Sequence, residues 1–180
     1  MLYHLHELNR VAVSPLRAVA HAAIGVYRHP FVPVAYTPYG RAVAASWELL
    51  ERLTRRHEKP VFGLHATSIG NHLATVEEEV VQERRFCRLI RFRRDVVRGD
   101  PRVLLVAPLS GHHATLLRDT VRTLIAEHEV WITDWVDARM VPMAAGPFHL
   151  ADYVDYVCEF VRFLSPGVNV ISVCQPTVPV

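Results

Sequence analysis

At 180 residues, 51% hydrophobic and 21% charged, the chain is long enough for one domain with a real core and too apolar for a disordered segment. Twenty basic and eighteen acidic residues leave a net charge of +2, which gives no general field for nucleic acid. No run approaches ~18 uncharged apolar residues, so no membrane-spanning helix is expected. Arg10, Pro15 and Arg17 break up any secretory signal, and a soluble, cytoplasmic chain is the expectation.

Cys87, Cys158 and Cys174 are too few and too scattered for a disulfide framework or a zinc spacing, and reduced thiols are expected. Of the eleven histidines the only close pairs are His4/His6 and His112/His113; none has the i, i+4 spacing of a helical metal site. The expectation is no metal and no cofactor. Lys59 is the only lysine beside nineteen arginines.

Residues 1–60 read as a helical extension. Leu2, Leu5, Leu8 and Ala12 recur at helical spacing, and Ser14-Pro15 ends one helix and starts the next. Leu16, Val19, Ala20, Ala23 and Tyr27 form one face of that second helix. The proline-bearing stretch from His29 to Thr37 predicts an extended connection, and Thr37-Pro38 then caps a third helix lined by Val43, Trp47, Leu50 and Thr54. Packing against the main domain and attachment to a lipid or polymer interface are both open to these helices.

Residues 61–99 predict strands: a short one over Val61–His65, a turn at Ile69-Gly70-Asn71-His72, then an antiparallel pair over Leu73–Val81 and Phe86–Arg93. Eight arginines from Arg84 to Arg102 oppose Glu77, Glu78, Glu79 and Glu83, a pattern of cross-strand charge pairing on a solvated face. From 100 to 180 the rhythm is βαβαβ. Strands are expected over Arg102–Ala107, Val130–Thr133 and Val168–Val173, with a helix on Leu117, Val121 and Leu124. A second helix carries Val154, Val157, Cys158, Val161 and Leu164 on its core face. Near-continuous apolar strands separated by helices argue for a mainly parallel sheet, so the fold class is α/β with an antiparallel segment.

Sites in open α/β sheets sit beyond the carboxyl ends of the strands. The third such end, Ser172-Val173-Cys174-Gln175-Pro176, has the form of a nucleophile elbow with Cys in place of Ser. Cys174 is therefore the candidate nucleophile, stabilised as a thiolate at the start of a following helix. The candidate oxyanion donors are the backbone N–H groups of Gln175 and of Ser110, in the loop after the first strand of the βαβαβ run. Gly111, His112 and His113 are pocket candidates. Asp134 and Asp137 end the second strand of that run; steadying the loop, capping the turn at Trp135 and, as a remoter option, a catalytic acid are the roles open to Asp134. Cys87 and Cys158 read as core.

Several long ordered strings resemble the intracellular poly(3-hydroxybutyrate) depolymerases over nearly the whole chain. They are Met1-Leu2-Tyr3 with Leu5-His6-Glu7, the run from Ala107 through Ser110-Gly111-His112-His113 to Thr120, and Thr133-Asp134-Trp135 with Asp137 to Pro142. Gly146-Pro147-Phe148-His149-Leu150 and Ile171 to Thr177 complete the set. The resemblance implies an α/β-hydrolase-like fold and a carboxylic ester hydrolase with a Cys nucleophile. It implies a storage-polyester granule surface as partner and location, and no nucleic acid. It also places the partner Asp and His downstream of Cys174, so the chain reads as a truncated, N-terminal portion, inactive alone and prone to aggregate. A polyester synthase-like acyltransferase and a non-catalytic granule-associated protein stay open as alternatives.

Overall fold

The computed structural model describes residues 15–16, 18–29, 31–54, 59–109 and 113–180, without the Arg139 side chain. The helix predicted on Leu2 to Ala12 lies outside them. The chain divides into two compact units, Met1–Glu58 and Lys59–Val180.

The first unit holds helix α1 over 18–27 and helix α2, Pro38–Thr54. Thr37 caps α2 as expected, its hydroxyl accepting the Gly40 N–H at 3.0 Å. The same hydroxyl donates to the Val34 carbonyl at 2.8 Å, and this closes a 3-10 turn, Pro33–Tyr36, where an extended connection was expected. Only glycine fits at position 40, because an added Cβ would stand 1.8 Å from the Val34 oxygen. Val43, Trp47, Leu50 and Thr54 are half-buried, as their helical spacing predicts.

The second unit is α/β. Its six strands are β1 (Ala66–Ile69), β2 (His72–Glu83), β3 (Cys87–Arg94), β4 (Arg102–Val106), β5 (Glu129–Trp135) and β6 (Val168–Ser172), and they form one mixed sheet in the order β1-β2-β3-β5-β4-β6. β1, β2, β3 and β5 pair antiparallel in turn, whereas β4 runs parallel to both β5 and β6. Val61–His65 joins no ladder; Gly63 bends it at φ +61°, and Phe62 and Leu64 instead lie buried in the core.

Cross-strand charge pairing is realised in part. Glu77 faces Arg93 and Glu83 faces Arg88, each as an ion pair. Arg91 and Arg102 both turn to Glu129 on β5, and Arg94 pairs with Asp100 at 2.6 Å, both nearly buried. Two helices cover the parallel strands: α3 (Arg118–Leu124), entered through a 3-10 turn at Ala114–Leu117, and α4 (Leu150–Leu164). The chain goes from β4 to β5 on one side and then from β5 back past β4 to β6 on the other. With right-handed crossovers, that reversal puts α3 and α4 on opposite faces.

The core face of α4 is Tyr153, Val157, Phe160 and Leu164. Tyr153 stacks on Trp135 with ring centroids 4.5 Å apart, and Phe163 meets Trp131 edge-on. This corrects the expected face: Val154, Cys158 and Val161 form its half-exposed flank, because Tyr153 and Phe160 fill the space that the smaller side chains were expected to fill. β6 is an edge strand of the sheet, with Val170 and Ile171 exposed.

Candidate nucleophile elbow

The register of β4 against β6 ends on Val106 opposite Ser172, so the segments leaving these two strands start side by side. The direction of winding reverses between these strands, which makes the crevice beyond them the topological switch point of the sheet. Cys174 stands there.

Its backbone is at φ 67° and ψ −123°, and among the described residues it is the only non-glycine with positive φ. A Cβ-bearing residue in this region costs roughly 1–3 kcal/mol and persists only where the surroundings impose it. Here the surroundings are visible. The Thr177 N–H and hydroxyl both donate to the Cys174 carbonyl, at 3.1 and 2.7 Å, and Pro176 is buried beneath the turn. The Cys174 side chain stays exposed.

After Cys174 the chain forms a three-residue 3-10 turn, Gln175–Thr177, where a helix was expected. Three residues make no useful macrodipole, so the expected dipole support for the thiolate is absent. The feature that sets Cys174 apart is the forced backbone.

The segment leaving β4 is held from two directions. Thr133 Oγ1 accepts the Ala107 N–H at 2.9 Å, and the Trp135 indole N–H donates to the Ala107 carbonyl at 2.8 Å. The Leu109 N–H donates to Gln175 Oε1 at 3.1 Å. Pro108 has no N–H to place. Sequence reasoning missed all three side chains, because each acts on backbone 26 to 66 residues away. Ser110, Gly111 and His112 lie outside the described residues. His113 is half-buried and precedes the 3-10 turn at Ala114–Leu117.

Asp134 does not steady a loop. It is buried within β5, which runs two residues past its expected end, and its carboxylate pairs with Lys59. The single lysine thus meets the buried aspartate. Asp137 lies just beyond the strand, half-buried, and its carbonyl accepts the Met140 N–H at 2.8 Å.

Cys87 is core as expected. Burial, with the Asp134 carboxylate second, holds its thiol well above the ordinary 9.0. Cys158, expected in the core, is half-buried beside a groove of ≈ 390 Å³ that also touches Val170 and Val180. Among the described residues no three His, Cys, Asp or Glu side chains group as metal ligands, and no helix is long and apolar enough to cross a membrane. Comparisons with protein-family models, with curated proteins and with solved structures return no match.

Proposed function

We propose that Cys174 is the acyl-accepting nucleophile of an α/β-hydrolase-like ester hydrolase acting on intracellular poly(3-hydroxybutyrate). The observation that carries the reading is the forced positive-φ backbone of an exposed Cys at the end of β6. A strained strand-to-turn bend that lifts a nucleophile above the sheet is the elbow device of that fold. Two further observations support it. The elbow opens onto the switch-point crevice, and the strand whose exit loop would supply an oxyanion donor is the direct neighbour of β6.

The chemistry is acyl transfer. The Cys174 thiolate attacks the carbonyl carbon of an ester unit, and the oxygen becomes an oxyanion held by the N–H groups of Gln175 and Ser110. As the tetrahedral centre collapses, the C–O bond to the departing 3-hydroxyl breaks and that alkoxide takes the proton given up by the Cys174 thiol, relayed by the His, oriented by the Asp, that the resemblance implies. The acyl group remains as a thioester on Sγ until water removes it. Gly111, His112 and His113 would border the acyl group. The substrate class, the granule surface and the cytoplasmic location follow from the resemblance of the strings around Ser110, Trp135 and Cys174.

The test uses native granules. A protein that includes the partner Asp and His implied by the resemblance, added to granules, should release 3-hydroxybutyrate or its oligomers, and its Cys174→Ala variant should release none. Equal release by the alanine variant would overturn the assignment. Acyl uptake only from a thioester donor would indicate the synthase-like alternative.

A further inference from the structure

We infer that the Gln175 side chain is a positioning residue that latches the segment leaving β4 to the elbow; the inference rests on the nucleophile reading of Cys174. Gln175 was singled out by sequence for its backbone N–H alone. In the structure its Oε1 accepts the Leu109 N–H at 3.1 Å, across 66 residues of chain. That bond completes the placement of the backbone N–H groups in this segment. The Ala107 N–H goes to Thr133, Pro108 has none, and the Leu109 N–H goes to Gln175. Ser110, the proposed second oxyanion donor, is the next residue in the chain.

The latch therefore connects two parts that must keep a fixed separation. One is the turn carrying Cys174 and the Gln175 N–H, and the other is the backbone from Ala107 to Leu109 that leads to Ser110. β5 fixes the segment at Ala107, while Gln175 fixes it two residues further on from the opposite side. Loss of the acceptor would leave Leu109 free to drift, and a displacement of about 1 Å between reacting groups costs on the order of 10²-fold in rate. Such a residue acts on the transition state through another group, so the loss belongs in kcat and not in KM.

The experiment compares wild type, Gln175→Leu and Gln175→Glu, the last keeping an acceptor oxygen at the same reach. Gln175 is exposed, and thermal melts of the three proteins serve as the folding control. Two readouts are taken: exchange of the Leu109 amide with deuterium, and acylation of Cys174 by a short activated 3-hydroxybutyryl ester over a range of concentrations. Gln175→Leu is expected to speed Leu109 exchange about tenfold or more and to lower the maximal acylation rate about 10- to 100-fold, with half-saturation within about twofold of wild type. Gln175→Glu should restore both. Unchanged Leu109 exchange in Gln175→Leu would overturn the latch. Faster exchange with an unchanged acylation rate would overturn the positioning role. No Cys174 acylation in the wild type would overturn the nucleophile reading, and this inference with it.

Discussion

Thr133 Oγ1, on β5, accepts the backbone N–H of Ala107 at 2.9 Å, and both residues are fully buried. The bond fixes the point where β4 ends and its exit segment begins. Thr133→Val keeps the shape and removes the acceptor, leaving a buried N–H without a partner. The expected cost is about 1–3 kcal/mol in urea unfolding. Thr133→Ser keeps the acceptor and should lose only about 1 kcal/mol for the missing methyl. Equal losses in the two variants would show that the hydroxyl does not hold Ala107.

The strain at Cys174 is measurable as stability. Cys174→Gly removes a backbone cost of roughly 1–3 kcal/mol and adds a chain-entropy cost of roughly 0.5–1 kcal/mol. The glycine variant should therefore be more stable than wild type by about 1 kcal/mol, while Cys174→Ala, which keeps a Cβ, stays near wild type. Both lose acyl acceptance. A glycine variant less stable than the alanine variant would contradict a forced elbow.

Asp134 is buried and its charge is met by Lys59, whose side chain is 38% exposed. Lys59→Met leaves the carboxylate inside the fold without its partner, at an expected cost of about 2 kcal/mol after allowance for solvent at the lysine. Asp134→Asn in the Lys59→Met background should recover part of it, since the buried charge is gone. Chemical unfolding of the single and double variants reads the coupling. No recovery in the double variant would show that the cost does not come from an unpaired charge.

Alkaline pH should weaken the fold for an identifiable reason. Burial pushes the Tyr153 hydroxyl from 10.0 up to about 12, with Cys87 adding to the shift, and burial also raises the Cys87 thiol above 9.0. Both groups keep their protons in the folded chain at pH values where the unfolded chain loses them. The unfolded state then binds fewer protons, so stability is at its full value below about pH 9 and falls as pH rises to about 12. Tyr153 Oη has no hydrogen-bond partner among the described residues, so Tyr153→Phe should cost little at pH 8 and flatten the decline from pH 10 to 12. Parallel curves for wild type and Tyr153→Phe would contradict this account.

The strands leading to the elbow were legible because they depend on local pattern, whereas the helix expected after Cys174 is only a 3-10 turn. β4 is a run of buried Val and Leu, and Val168 to Ser172 reads as a strand up to a turn that only a nearby Thr and Pro are needed to shape. The Glu77–Arg93 and Glu83–Arg88 pairs were legible through strand alternation. What failed to show depends on distant partners. An aspartate inside β5 looked like a strand end because Lys59, which meets its charge, lies 75 residues away. The face of α4 was misplaced by counting valines equally with Tyr153 and Phe160, although Tyr153 has the Trp135 ring of β5 to stack on and Phe160 is fully buried. The strand predicted at Val61–His65 failed at Gly63, whose backbone sign cannot be read from periodicity. At the site, Cys174 was legible as a strand-end thiol. The Gln175 side-chain bond to Leu109 was not, since no local rule joins those two positions.

The most direct test is peptide mapping by mass spectrometry after brief exposure of the wild-type chain to an activated 3-hydroxybutyryl ester. The predicted result is one thioester-linked 3-hydroxybutyryl group on Cys174, with half-buried Cys158 and buried Cys87 unmodified. Acylation spread equally over Cys158 and Cys174, or none at Cys174, would contradict the nucleophile assignment.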